Sequence, residues 1–165
     1  IIKIQIISIS IIYLAIFLVM WCAFKTYKAG IVATIPNFFP LTSVLMLMYF
    51  LQIPFFPITI IVLVAVLGLA VDDTIHIMLS FKKFYKKTFD LDSAIENAVH
   101  SQIRPVTITS LSLIVAVALF AFSSLKSIML FSVLLGFGAL AAWVSDMVIT
   151  PFLLRKINII KKLNK

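Results

Sequence analysis

The sequence predicts an all-α polytopic membrane protein of five transmembrane helices, N-terminus outside and C-terminus inside, on the strength of three observations. Sixty-three per cent of the 165 residues are apolar, against about 45–50 per cent in soluble domains, and the mean hydropathy is +1.20. Apolar runs repeatedly reach the roughly 20 residues that cross a hydrocarbon core. The basic residues gather in clusters beside those runs. The whole chain, residues 1–165, reads as one transmembrane domain.

The first span is expected over about 4–24. The second, about 30–51, carries Pro36 and Pro40 in its first half, where they should kink it. The third covers about 57–81. A polar stretch from Lys82 to Arg104 follows. Within it Ser93-Ala94-Ile95-Glu96 has capping-box spacing, and Leu91, Ile95, Ala98, Val99 and Ile103 form an apolar stripe that Pro105 ends. This reads as an amphipathic helix over about 91–104 on the inner membrane face, with Lys82, Lys83, Lys86 and Lys87 towards lipid headgroups. Pro105 then suits the first turn of a fourth span, about 105–122, and a fifth covers about 128–154.

Orientation follows from Lys and Arg. With the N-terminus outside, Lys25, Lys28, Lys82, Lys83, Lys86, Lys87, Arg104, Arg155, Lys156, Lys161, Lys162 and Lys165 are cytoplasmic. Only Lys3 and Lys126 are outside, a split of 12 against 2. The net charge of +8 thus reads as a topology signal, and no nucleic acid is expected because no separate basic domain exists to hold one. Cys22 is the single cysteine and supports neither an internal disulfide nor a cysteine metal site. The chain opens Ile1-Ile2 without Met and shows no signal peptide. A piece of a longer protein is expected, with an outer domain absent.

The third span carries the chemistry. Asp72 and Asp73 stand side by side in it, and His76 follows one turn later. A carboxylate near the middle of a bilayer costs roughly 2.5–3.5 kcal/mol even on the lenient insertion scale, so intramembrane acids mark function by default. Positions four apart share a helix face, which places Gly68, Asp72 and His76 on one stripe with Asp73 on its flank. All three ionisable groups are expected to look into the bundle, towards Thr107, Thr109, Ser110 and Ser112 of the fourth span, with Gly68 admitting a neighbouring helix. Two desolvated acids should share a proton near neutral pH and titrate as a unit, with His76 as a further acceptor. Asp72, Asp73 and His76 are therefore the expected proton relay, supported by Gly68, Thr107, Thr109 and Ser110. Asp146, in the last span, is a secondary candidate for which a polar helix contact is the simpler reading. A metal site is not expected, since no second ligand cluster completes a shell. Nor is a hydrolytic triad. The expectation is a carrier and not an enzyme, with no cofactor and with protons as the coupling ion, sodium being the other candidate.

Gly68-Leu69-Ala70-Val71-Asp72-Asp73-Thr74-Ile75-His76 resembles the tenth-helix motif of the resistance-nodulation-division superfamily, nearest its lipid-exporting MMPL-like and hopanoid-transporter-like branches. Downstream, Arg104-Pro105-Val106-Thr107-Ile108-Thr109-Ser110-Leu111 is similar to the start of that family's helix eleven. Gly136-Phe137-Gly138 and Ser145 through Pro151 are similar to helix twelve, and Ile35 through Pro40 to helix nine. The resemblance implies helices eight to twelve of a proton-driven exporter in a bacterial inner membrane. It implies as partners membrane lipids, the missing N-terminal half of the same transporter, and a lipid or other hydrophobic substrate, and it implies an oligomer. A residue matching Asp72 belongs to a relay in that family, whereas many lipid-exporting members carry Tyr where Asp73 stands. Two other readings accompany it. One is a proton-driven translocation subunit like SecD and SecF, whose fourth helices carry a similar Gly-x-x-x-Asp pattern. The other is a lipid-binding unit like the sterol-sensing domains, which has no need of paired acids and a His.

Overall fold

The computed structural model describes residues 27–156, together with Leu14, Leu18, Trp21 and Cys22. Apart from those four residues, the first expected span lies outside the described residues. Within the stretch 27–156 the chain is helical except at 51–56, 89–90 and 123–125, and four helical segments are long and apolar enough to cross a membrane: Gly30–Phe50, Pro57–Thr88, Leu91–Phe122 and Lys126–Lys156.

Helix α1 covers Tyr27–Phe50, with Pro36 and Pro40 inside it. A proline inside a helix withholds the N–H that the carbonyl four residues earlier would accept. Pro40 thereby leaves the carbonyl of Pro36 without its helical donor, and the hydroxyl of Ser145, from the last helix, donates to it at 2.7 Å. Both residues are buried, so the bond replaces a lost intrahelical one in the core. Ser145→Ala is expected to lower stability by about 1–3 kcal/mol, the cost of stranding a buried acceptor. Thermal unfolding of the purified protein in detergent reads this; an unchanged midpoint would contradict the assignment.

Helix α2 spans Pro57–Thr88, 32 residues, or about 48 Å at about 1.5 Å per residue. Pro57 occupies its first position, where a missing N–H costs nothing. Thr59 Oγ1 closes the turn, accepting from the Phe56 N–H at 3.0 Å and donating to the Phe56 carbonyl at 2.8 Å. The helix passes the expected end at residue 81 because Lys82, Lys83, Lys86 and Lys87 are good helix formers, and Lys86 and Lys87 sit in the last turn, where the dipole favours cations. Phe89 then turns the chain in the left-handed region, at φ 53°.

Helix α3, Leu91–Ala118, corrects two expectations. Its N-cap is Asp90, whose Oδ2 accepts from the Ser93 N–H at 3.0 Å, so Ser93 stands at the third position of the turn and does not open a capping box with Glu96. The bonds from Ser93 hold the Asp90 carboxyl below the usual carboxylate range. The amphipathic segment and the fourth span are also one continuous helix, since Pro105 lies inside it. Pro105 and Ser101, whose carbonyl loses its donor, are both exposed. The break in the ladder therefore falls outside the core, where the helix can absorb it. A 3₁₀ turn, Leu119–Phe122, ends this arm, and the Val117 carbonyl just before it accepts the hydroxyl of buried Ser132.

The last arm is α4, Lys126–Val144, a π-helical turn at Ser145–Ile149, and α5, Thr150–Lys156. In that turn the Thr150 N–H reaches back five residues to the Ser145 carbonyl. Pro151 follows immediately and cannot donate to the preceding turn, which is a recognised cause of such bulges.

Helix α2 lies at the centre, packed on α3, α4 and α1. Its side chains Leu63, Leu67, Ile77, Met78 and Phe81 are fully buried, as are Leu134, Leu154, Val32 and Val44 from the surrounding helices. Gly138 of α4 marks the closest approach of three helices, since a Cβ there would meet Val66 and Val44, and small residues at such crossings let helix backbones come together in a membrane.

Candidate functional site

Helix α2 divides its polar residues between two faces. The buried stripe runs Val62, Leu63, Val66, Leu67, Ala70, Asp73, Thr74, Ile77, Met78, Phe81, steps of three and four that follow the helical repeat. Asp73 is 5% exposed and Thr74 1%. Asp72 and His76 lie off this stripe, with side chains 71% and 60% exposed on the surface of the chain. Their geometry is that of an i, i+4 ion pair, His76 Nε2 standing 3.5 Å from Asp72 Oδ1. The expectation that all three ionisable groups converge into the bundle is thus corrected. One residue of helix is about a 100° turn, and the apolar side chains above and below settle that Asp73 points in while Asp72 and His76 point out. Gly68 shares the outer face; a Cβ on it would meet nothing within 4 Å, so the helix it was expected to admit is not one of the described helices.

Inside the bundle Thr74 is the hub. Its hydroxyl lies 2.6 Å from Asp146 Oδ1, 2.9 Å from the Ala70 carbonyl and 3.3 Å from Asn37 Oδ1. A hydroxyl has one proton to give, and the shortest contact, to a carboxylate, is the strongest. The Thr150 hydroxyl donates to the same Oδ1 at 3.2 Å. Asp146 is 1% exposed and sits in the π-helical turn, whose extra residue rotates it into the core. Asn37 Nδ2 donates to the Ala33 carbonyl at 2.7 Å. Residues from α1, α2, the π-turn and α5 therefore meet in one polar layer within an apolar core.

Three buried side-chain atoms among the described residues have no hydrogen-bond partner: Asp73 Oδ2, Asp146 Oδ2 and Ser110 Oγ. Both acids belong to this layer, Asp73 as the chain neighbour of Thr74 and Asp146 as the acceptor of the Thr74 hydroxyl. Ser110 stands at the same depth, because Gln102 Nε2 donates to Ser80 Oγ at 2.7 Å. Counting seven residues back on α2 and seven forward on α3 from that bond brings Asp73 level with Thr109, next to Ser110. The other expected supports are engaged elsewhere. Thr107 accepts from Trp143 Nε1 at 3.0 Å, Thr109 bonds the Val106 carbonyl of its own helix at 3.0 Å, and Ser112 is exposed. Among the described residues no three His, Cys, Asp or Glu side chains gather as metal ligands do.

Sequence reasoning missed Thr74, Asn37, Thr150 and Ser145 as parts of the site. The signals were present: Thr74 adjoins the acid pair, Asn37 is a lone amide between two prolines, and Ser145-Asp146 stands just before Pro151. Chemically, the arrangement offers an ionisable pair open at the protein surface and, one residue away, a buried carboxyl layer with uncommitted oxygens.

Residues 1–159 match the family model described as protein export membrane protein SecD/SecF, C-terminal. No curated protein and no solved structure matches the chain. A multi-pass helical membrane protein whose match runs over nearly its entire length, this chain belongs to the SecD/SecF C-terminal family.

Proposed function

We propose that this chain is one membrane half of a proton-driven protein-export apparatus, a carrier and not an enzyme, in a bacterial inner membrane. The observation that carries this reading is the Asp72–His76 pair. It lies midway along α2, flanked by apolar turns, with both side chains exposed on the surface of the chain. Against lipid a carboxylate there costs roughly 2.5–3.5 kcal/mol, so this face is covered in the working assembly by a second helical bundle or by water. Gly68 on the same face leaves room for a partner helix to come close. The partner bundle is the complementary half of the machine, and Asp72 and His76 relay protons along the seam between the halves, with Asp73 in the buried layer behind them. The test is translocation by the full assembly in proteoliposomes: export should rise with an imposed pH gradient and collapse with a protonophore. Export indifferent to both would overturn the reading.

A second reading, export of lipids or other hydrophobic compounds in the manner of the MMPL-like branch, is favoured by the Gly68-to-His76 motif. The same proteoliposomes distinguish the two, since one reading predicts coupling to a translocating polypeptide and the other to an amphiphile.

The orientation belongs to the same proposal and rests on the 12 against 2 charge split. In intact cells Lys126→Cys should react with a membrane-impermeant thiol reagent, and Lys86→Cys only after permeabilisation. The reverse pattern would invert the whole arrangement.

A further inference from the structure

We propose that Asp146 is a second proton carrier, receiving across the helix interface the proton that Asp73 takes up. This rests on the proton-driven reading above and extends it to a residue on another helix. The argument begins with the unpartnered atoms. A buried carboxylate oxygen without a donor is costly, and this core holds two on neighbouring helices, Asp73 Oδ2 and Asp146 Oδ2, in residues 5% and 1% exposed. Each oxygen lacks one donor, and a single proton on either carboxyl supplies a donor for that layer. A hard metal cation fits less well, because such ions gather about six oxygen ligands. Asp146 Oδ1 is already committed to Thr74 and Thr150, and among the described residues the only other buried side-chain oxygen without a partner is the Ser110 hydroxyl.

The surroundings suit a transfer. The proton leaves the Asp73 carboxyl as a carboxylate and arrives at Asp146 Oδ2, so total charge is conserved and no electrons move. Thr74, next to Asp73 in the chain, holds the acceptor still through its 2.6 Å bond to Oδ1. No other charged side chain enters the layer from the described residues: α1 contributes Asn37 and α3 contributes Ser110, while Asp72 and His76 stand on the outer face of α2 and Arg104 is exposed. The π-turn supplies the means of release. Such turns are frequent at functional sites, and return of this one to α-helical pitch would rotate Asp146 out of the layer.

The experiment uses the full assembly in proteoliposomes with Asp146→Asn, Asp146→Glu and Asp72→Asn. Asn retains an oxygen to accept from Thr74 and Thr150 but carries no proton, so a purely structural Asp146 would be replaced without loss. A carrier would lose about a hundredfold in gradient-driven export, the lower end of what a positioned proton-transfer group contributes, and Asp146→Glu would restore part of it with a displaced pH profile. Infrared difference spectra between acid and alkaline pH add a readout independent of export and of the folding of any Asp146 variant. The unmodified protein should show a buried carboxylic acid band that Asp73→Asn alters. Full export in Asp146→Asn, or no such band, overturns the proposal. If Asp146→Asn is active while Asp72→Asn is dead, the proton-driven reading stands and this extension alone fails. Export that follows a sodium gradient at constant pH would overturn proton carriage altogether.

Discussion

Asp72→Asn is expected to reduce pH-gradient-driven export by at least about a hundredfold while leaving the fold intact. Asparagine matches aspartate in shape and in one hydrogen-bonding oxygen, and what it lacks is the exchangeable proton. The side chain is 71% exposed on the surface of this chain, so no described packing depends on it. Its one described partner is His76, at 3.5 Å. Removing an intramembrane charge lifts a cost, and the thermal midpoint should hold or rise as activity disappears. That divergence separates a working residue from a structural one, whose loss lowers both together. Asp73→Asn and His76→Ala should impair export more variably, since one sits in the buried layer and the other only flanks Asp72. Export at the parental rate in Asp72→Asn would remove the relay from consideration.

Gly138→Ala is expected to be the most damaging single methyl in the described bundle. A Cβ built there would stand 2.3 and 2.9 Å from the two γ-carbons of Val66 and 3.1 Å from Val44 Cγ2. Both valines are fully buried and β-branched, so neither can swing aside. Overpacking of this kind costs typically about 1–3 kcal/mol, and the helix-propensity gain of about 1 kcal/mol from losing a glycine offsets only part of it. Gly136 supplies the control two residues away. Its Cβ would meet Val117 Cγ2 at 3.5 Å, an ordinary contact, so Gly136→Ala should match or exceed the parent. Denaturant titration in mixed micelles should rank Gly136→Ala above Gly138→Ala, with Val66→Ala partly rescuing the latter. Equal stability of the two alanine variants would show that α4 does not approach α1 and α2 this closely.

The helices were legible in the sequence because apolar runs of membrane length have few alternatives, and the expected bounds of the second to fifth spans fall within a few residues of the observed helix ends, save where lysines prolong α2 and where α3 begins at Leu91. The continuous α3 was not legible. Pro105 signals a boundary from local rules alone, and only the exposure of Ser101 and Pro105 shows that the interrupted bond lies outside the core. The site was half legible. Asp72, Asp73 and His76 announce themselves by their cost in a bilayer, yet the i, i+4 pairing of Asp72 with His76 suggested an inward stripe. The register of Val66, Ala70, Thr74 and Ile77 places the inward face one residue further on. Asp146 was undervalued because its depth depends on a π-turn, a one-residue shift of phase that no periodicity in the flanking sequence reveals.

The length of α2 has a mechanical consequence. At about 48 Å it exceeds the roughly 30 Å hydrocarbon core, and more than half of the surplus is its lysine-rich end from Lys82 to Thr88. Thr88 lies 15 residues beyond Asp73, a rigid arm of about 22 Å, so a tilt of about 10° pivoting at the acid layer carries the tip roughly 4 Å. The arm does not swing alone. Ser80–Gln102 couples it to α3, and Asp92–Arg155, at 3.3 Å, couples α3 to the end of the last helix. A tilt of α2 about the acid layer would therefore carry the ends of α3 and of the last helix with it, as three helices on one lever.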